Sequence, residues 1–408
     1  MCPTASLRRA IHAGSCAHGR EGFFGGAEAA SIASNRESTN MIKHKDLDDP
    51  ARREVIIIGG GSAGLSAAIY LGRAERDTLV IDSGHSMAKW EPEVRNYLGF
   101  PDGVGGKDLL TYGRRQAKWH KVKFANDEIK SVVRQKEGFF LRGRRTSYRT
   151  NRLLLATGIF HLPPKIPRVK ECLGHSMFFC KDCDGYRARG KRIAICGANN
   201  EAVEYALGML HYSPYVVVAA NAEKPRWSRK HATLLQEYEI PVIREKITGV
   251  DHRGCQVRGL RFKGATEMKI DYIFTTRGDV FHTSLAKSLG ARLDRDGQIR
   301  VDQCMRTNVP RLYAAGCVTP ANCQMIIAAG QGAAAAQAIN RDLFEESIAN
   351  HSLRRFREVQ LEEEKTVPEE RGENVQRPTS NAQHSTSEGW AADNAQPASG
   401  RRGRKRFS

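Results

Sequence analysis

A chain of 408 residues with 40% hydrophobic content has enough apolar material for two or three domains with real cores. Its net charge of +19 and pI of about 9.6 predict attraction to acidic partners and a salt-sensitive on-rate, without by themselves indicating nucleic-acid binding. No apolar run approaches the roughly 20 residues of a membrane span, and the ten Cys hold one closely spaced pair and are otherwise scattered, unlike a secreted disulfide framework. No second Cys-x-x-Cys or Cys/His cluster completes a zinc site, so no metal is expected. A reducing, cytoplasmic compartment is the default.

Residues 1–50 are rich in Ala, Ser, Gly and Arg with little periodicity, and read as a disordered or mis-assigned N-terminal extension. Met41 is a candidate true start, and Arg8 and Arg9 with few acids leave an organellar presequence as the alternative. Glu54 to Ile58 reads as a short strand. Gly59-Gly60-Gly61-Ser62-Ala63-Gly64 follows, and then a small-residue helix to about Arg73. Leu79 to Asp82 is the second strand. This is GxGxxG in a βαβ context with an acid about 20 residues on, the fingerprint of dinucleotide binding. Gly59 allows the tight turn, Gly61 admits a pyrophosphate to the backbone, and Gly64 lets helix and strand pack closely. The helix N-terminus faces the phosphates, and Asp82 can accept from a ribose hydroxyl.

Leu153 to Gly158 reads as a buried strand ending in a small-residue turn that contains Thr157. A second βα unit starts at Arg192 to Cys196, with Gly197-Ala198-Asn199-Asn200-Glu201-Ala202 as its turn, a helix to about His211, and a strand at Tyr215 to Ala220. Arg311 to Gly316 is a late strand, and Gln324 to Ile339 an Ala-rich helix. After about Leu343 the chain turns polar and ends in a basic cluster, which reads as a disordered charged tail over 346–408. Two Rossmann-like units in one chain define an α/β fold.

Between the two units lies Cys180-Lys181-Asp182-Cys183-Asp184-Gly185. Thiols at this spacing close a small disulfide, and at the mouth of a helix the first thiolate is stabilised by N–H groups. That suits a cycling dithiol better than a fixed staple, and Asp184 is placed to protonate a leaving thiolate.

The order of these motifs resembles the low-molecular-weight thioredoxin reductases over roughly residues 53–343. The Cys-x-x-Cys-Asp-Gly just before the second βα unit is the most specific element. The resemblance implies two Rossmann-like dinucleotide-binding domains, the second inserted into the first, with flexible N- and C-terminal tails. The FAD-binding domain would comprise 51–163 and 281–345, and the NAD(P)-type domain 164–280. It further implies that Cys183 lies next to the flavin, that Cys180 attacks the substrate disulfide, and that Asp184 donates the proton. FAD would be held by Gly59, Gly61, Ser62, Ala63, Gly64, Asp82, Asn96, Thr157, Gly158, Gly316, Cys317 and Gln324, and the nicotinamide nucleotide by Gly197, Asn199 and Ala202. A homodimer and a thioredoxin-like or other acidic redox partner, ferredoxin included, are implied in the same way; membrane and nucleic-acid partners are not.

Two departures from the family pattern stand out. The late motif normally reads Gly-Asp-Val, but here it is Gly316-Cys317-Val318. A thiol is a weak acceptor for the ribityl chain, and losing one charge-assisted bond costs about 1.5–3 kcal/mol. Cys317 is expected to be a buried inert thiol. In the second turn, Asn199 replaces the middle Gly, where its side chain competes with a pyrophosphate. Asn tolerates left-handed backbone, so the turn can survive. The Arg pair that would recognise a 2′-phosphate is missing. Glu223 could accept from an unphosphorylated ribose, while Arg226, Arg229 and Lys230 could rescue a phosphate site. NADPH, NADH and loss of nicotinamide binding all stay open as donors' fates.

Lys181, Arg187, Arg189, Lys191 and Arg192 surround the pair, either as a solvated face or as a dock for an acidic partner. The leading expectation is electron flow from FAD to the Cys180–Cys183 disulfide and on to a partner disulfide. A nicotinamide-independent relative (a ferredoxin-linked reductase or an oxygen-dependent dithiol oxidase) is the alternative. A flavin-bound redox sensor or binding module is the reading of another class.

Overall fold

The computed structural model describes residues 52–264 and 266–353. The readings of 1–50 as an extension and of 354–408 as tail lie outside the described residues. In chain order the elements are β1 (Arg52–Ile58), α1 (Ser62–Arg73), β2 (Thr78–Ile81), α2 (Gly106–Trp119), β3 (Lys123–Ala125), β4 (Ile129–Gln135), β5 (Gly138–Gly143), β6 (Ser147–Leu155) and β7 (Ile159–His161). The chain then enters β8 (Met177–Phe178), α3 (Lys181–Asp184), β9 (Ile193–Cys196), α4 (Asn200–Met209), β10 (Val216–Ala219), α5 (Arg229–Glu237) and β11 (Val242–Ile243). After β12 (Ile247–Arg253), β13 (Gln256–Phe262), β14 (Glu267–Lys269) and β15 (Tyr272–Thr275), it returns through β16 (Asp279–Phe281) and α6 (Ser284–Ser288) to β17 (Leu312–Ala314) and α7 (Met325–Ala349).

The seven-stranded sheet runs β3-β2-β1-β6-β5-β4, and β17 adds beside the far half of β6. β6 divides its partners along its length: Ser147 to Thr150 pair antiparallel with β5, while Leu153 to Leu155 pair parallel with β17. Strands 55–58 and 153–155 are fully apolar and buried, as a sheet covered on both faces requires. The second sheet, β11-β10-β9-β15-β8, is parallel throughout. It is likewise sandwiched, by the α4 side on one face and by the antiparallel β12-β13-β14 sheet on the other. Two Rossmann-type domains are present, the second inserted into the first. The crossing is a two-stranded ribbon, with β7 antiparallel to β16 and His161 Nδ1 2.5 Å from Asp279 Oδ1 across it.

Helix α7 runs ten residues beyond the Ile339 end expected from the Ala-rich run. Its polar last turns are anchored by charge pairs rather than by an apolar stripe. Asp342 binds Arg306 at 2.5 and 2.9 Å and accepts from the Tyr313 hydroxyl, and Glu346 pairs with Arg152 at 2.7 Å and with Arg311. The Arg152 side chain is only 5% exposed. Losing its partner would leave a buried charge uncompensated, a defect worth roughly 3 kcal/mol. The Glu346→Ala variant is therefore expected to show a clearly lowered thermal midpoint in calorimetry, whereas Glu345→Ala, one residue away, should leave the midpoint near wild type.

Candidate active site

The first Gly-rich turn is built by close backbone approach. Gly59 has φ +111°, and a Cβ there would meet the Ala156 carbonyl oxygen at 2.2 Å; a Cβ on Gly64 would meet the Gly59 oxygen at 1.9 Å. Only glycine fits either position. Gly61, the N-cap of α1, offers no side-chain cap, and the first turn holds no acid. The free N–H groups of that turn, including those of Ser62 and Ala63, therefore stay available to an anion. Asp82 ends β2 beside this turn, held by Gly84 N at 3.1 Å and Arg114 at 3.3 Å.

From here a cavity of about 560 Å³ runs to the Cys pair. Gly59, Gly61, Ser62, Ala63, Asp82, Asn96, Thr157, Gly158, Gly316, Cys317 and Gln324 all line it, together with Cys180, Cys183 and Asp184. Gly64 does not; its role is packing. An uncapped helix end, an acid at the next strand end and an elongated cavity opening on a disulfide fit the adenosine, pyrophosphate and ring portions of FAD.

Cys180 and Cys183 form a disulfide with Cα atoms 5.3 Å apart. The helix expected after Cys180 is a single turn, α3, that tightens into a 3₁₀ turn over Gly185–Ala188. The helix contributes a single backbone amide to Cys180 Sγ, Cys183 N at 3.1 Å, rather than a long helix end. Gln324 Nε2 donates to Cys183 Sγ at 3.2 Å and to Cys180 Sγ at 3.5 Å, while Asn96 Nδ2 donates to Gln324 Oε1 at 3.0 Å. The pair therefore faces the cavity, held by residues of the other domain.

Asp184 is buried, and burial pushes its carboxyl up to about 7, with the nearby Glu91 charge adding and the Arg187 guanidinium opposing. Glu91 is raised by burial too, against the pull of Arg187 and His161. Arg187 sits 3.4 Å from Asp184 and 2.7 Å from Glu93. Glu91 and Arg187 tune the acid next to the thiols, and nothing in the sequence spacing announces them.

Two expectations need correction. Cys317 is not an inert thiol: it is bonded to Cys323, the Cα atoms 5.0 Å apart, because the loop after Val318 folds back to the start of α7. Cys323 lines the same cavity. Its spacing of six residues from Cys317 gave no pairing signal in the sequence. Asn199 does not need left-handed backbone; its φ is −119°. It caps α4 by accepting from Ala202 N at 3.1 Å, and its amide bridges to Thr276 at 3.2 Å.

Gly197, Asn199 and Ala202 come together in this second turn, away from the flavin cavity, and a Cβ on Gly197 would meet Thr276 Oγ1 at 2.1 Å. Glu223 pairs with Arg277 at 2.6 Å, whereas Arg226, Arg229 and Lys230 are exposed. Of the basic residues around the pair, Lys181, Arg187 and Arg192 are matched by Asp182, Glu93 and Asp271 at 2.7, 2.7 and 2.6 Å. Arg189 and Lys191 remain exposed. No cluster of metal-binding side chains and no helix long and apolar enough to cross a membrane occurs among the described residues.

A cavity lined at one end by a dinucleotide-type Gly turn and at the other by a Cys-x-x-Cys disulfide defines an FAD-dependent disulfide oxidoreductase. Comparison with known proteins agrees. Residues 53–338 match the family model described as pyridine nucleotide-disulphide oxidoreductase. The thioredoxin reductase of Listeria innocua is 30% identical over 294 residues, covering 70% of this chain and 92% of that protein. The thioredoxin reductase of Coxiella burnetii is 28% identical over 310 residues, covering 71% and 96%. In fold, the solved thioredoxin reductase of Streptococcus pyogenes covers 72% of this chain and 99% of its own, with a TM-score of 0.69 at 22% identity. The chain belongs to the pyridine nucleotide-disulphide oxidoreductases and, within them, to the thioredoxin reductase family.

A carboxyl whose pKa rises from 3.8 to about 7 on folding keeps its proton in the folded chain while the unfolded chain ionises. Stability then falls as pH rises through that window and is level above it. Asp184→Asn removes this dependence. Its thermal midpoint should gain on wild type between pH 4 and 7 and hold a constant lead above, which a calorimetric pH series would check; an unchanged difference would sink the burial argument.

Proposed function

We propose that this chain reduces the disulfide of a thioredoxin-like partner, with Cys180 as the attacking thiol, Cys183 as the flavin-side thiol and Asp184 as the proton donor. The observation that carries this reading is the disulfide held by Gln324 at the end of the flavin cavity, with Cys183 Sγ the nearer sulfur at 3.2 Å. A reduced flavin bound there would supply the electron pair that opens the Cys180–Cys183 bond, itself becoming oxidised. Cys180 thiolate attacks one sulfur of the partner disulfide and releases the other as a thiolate. Cys183 thiolate then attacks Cys180 Sγ, re-forms the intramolecular disulfide and frees the second partner thiolate. Asp184 gives that thiolate its proton, which its raised pKa lets it hold near neutral pH.

The flavin-binding domain in this reading is 51–163 with 281–345, and the inserted domain is 164–280; the two separate sheets, one mixed and one parallel, and the β7–β16 ribbon between them support that division. Cys180 must leave Gln324 to meet a protein partner, and the ribbon is the place where the inserted domain can swing. A homodimer and a reducing, cytoplasmic setting belong to the same reading. The free thiols of Cys172, Cys196 and Cys255 fit such a compartment.

A nicotinamide nucleotide is the electron donor in this reading. The α4 N-terminus and the exposed Arg226, Arg229 and Lys230 support it, and Asn199 limits it by filling the turn. Asn199→Gly should lower the KM for NADPH several-fold in an anaerobic flavin-bleaching assay; an unchanged or raised KM would show that the Asn199 side chain does not compete with the nucleotide.

Cys180→Ser is expected to abolish reduction of thioredoxin disulfide while the flavin remains reducible by dithionite, and retained turnover would refute its role. In wild type, turnover should fall above about pH 7 as Asp184 ionises, and Asp184→Asn should be slow and lack that inflection.

A further inference from the structure

The second disulfide of the cavity has no part in the reaction described so far. Cys317 and Cys323 face the same space as Cys180 and Cys183. Other cysteines are placed differently: Cys172 and Cys196 are thiols inside the apolar core of the inserted domain, and burial pushes Cys196 up to about 12. Cys323, by contrast, is exposed. It directly precedes the N-cap of α7, a helix of 25 residues with no acid in its first turn, where a released thiolate is favoured. The next residue is Gln324, whose amide contacts both sulfurs of the first pair. One peptide bond therefore separates the second disulfide from the residue that holds the first.

The Cys317 side of the loop has hydrogen bonds of its own. Gly316 N donates to Gln331 Oε1 at 2.8 Å, Thr319 Oγ1 to the Gly316 carbonyl at 2.8 Å, and Gln298 Nε2 to the Thr319 carbonyl at 2.9 Å. These bonds fix Gly316 and Thr319, so the position of Cys317 does not rest on the disulfide alone. Both residues of this disulfide line the cavity, so its sulfur chemistry is open to that space.

We propose that Cys317–Cys323 is a second redox-active disulfide that exchanges an electron pair with Cys180 and Cys183. The inference rests on the reading of Cys180–Cys183 as the working dithiol. With that pair reduced, Cys183 thiolate attacks the exposed Cys323 Sγ. The Cys183–Cys323 bond forms, the Cys317–Cys323 bond breaks, and Cys317 leaves as a thiolate and takes up a proton. Cys180 thiolate then attacks Cys183 Sγ. The Cys180–Cys183 disulfide is restored and Cys323 leaves as a thiolate, taking up the second proton. One pair is oxidised, the other is reduced, and no outside oxidant is needed. In reverse, the stored electron pair returns to Cys180–Cys183 after a partner has been served.

The test is anaerobic reduction of the full-length protein as purified with rising amounts of dithiothreitol, followed by acid quench, alkylation and peptide mass spectrometry. Cys180 and Cys183 should label first, and Cys317 and Cys323 should follow in the folded protein. In the Cys180→Ser/Cys183→Ser double variant, labelling of Cys317 and Cys323 should slow by about an order of magnitude, since the internal attacking thiols are gone. As a second readout, Cys317→Ala/Cys323→Ala should take up one electron pair fewer than wild type in a dithionite titration. If only Cys180 and Cys183 label, and Cys317–Cys323 opens only on denaturation, the bond is a staple and the inference fails while the dithiol reading stands. Labelling of Cys317 and Cys323 at the wild-type rate in the double variant would overturn the exchange step. If no cysteine of either pair labels, the dithiol reading itself fails and takes this inference with it.

Discussion

The site depends on how closely α1 is gripped by backbone on two sides. A Cβ on Gly64 would strike the Gly59 carbonyl at 1.9 Å, and a Cβ on Gly332 of α7 would strike the Ala63 carbonyl at 2.0 Å. Gly316 is less tightly placed, with its Cβ position 3.0 Å from the Ala63 methyl. These contacts bring the uncapped start of α1, the turn after β17 and the start of α7 to one wall. Asp82, Cys317, Cys323 and Gln324 reach a common cavity because glycine leaves no side chain between those three backbones.

This grip explains which parts of the molecule were legible in the sequence. The β1–α1–β2 unit announces itself through short-range rules: an apolar strand, glycines at fixed offsets, a small-residue helix and an acid at the next strand end. α1 ends at Arg73 as its pattern implied. The end of α7 was not legible, because its last turns rest on Arg152, Arg306 and Arg311, residues distant in sequence whose charges meet Asp342 and Glu346 only after folding. The Cys317–Cys323 bond was hidden for a related reason. A spacing of six residues carries no pairing signal until the loop turns back, whereas a spacing of three in Cys180–Cys183 does.

Electrostatics around the first pair follow the same distinction. The basic residues near Cys180 suggested a charged dock, yet three of the five are neutralised by acids of their own surroundings. One of these, Arg187, has an internal task instead. It joins Glu93 of the flavin-binding side to Asp184 of the inserted side, so the acid next to the thiols is set by a contact across both. Burial raises Asp184, and Arg187 keeps it from rising further. An acid with that balance can hold a proton near neutral pH and still give it to a thiolate.

The two departures from the family pattern differ in physical kind. Asn199 replaces a glycine whose emptiness matters to a ligand, yet the turn itself loses nothing: the side chain caps α4 and fills its remaining bonds on Thr276. Any cost falls on the nucleotide that must share the space. Cys317 stands where the family resemblance implies a charged acceptor, and in the structure it is joined to Cys323. The first change bears on the turn where a nicotinamide nucleotide would sit; the second places a disulfide on the wall of the cavity that also holds the Cys180–Cys183 pair. In the proposed scheme both changes therefore fall on one electron path, the first where electrons would enter and the second beside the dithiol that would pass them on.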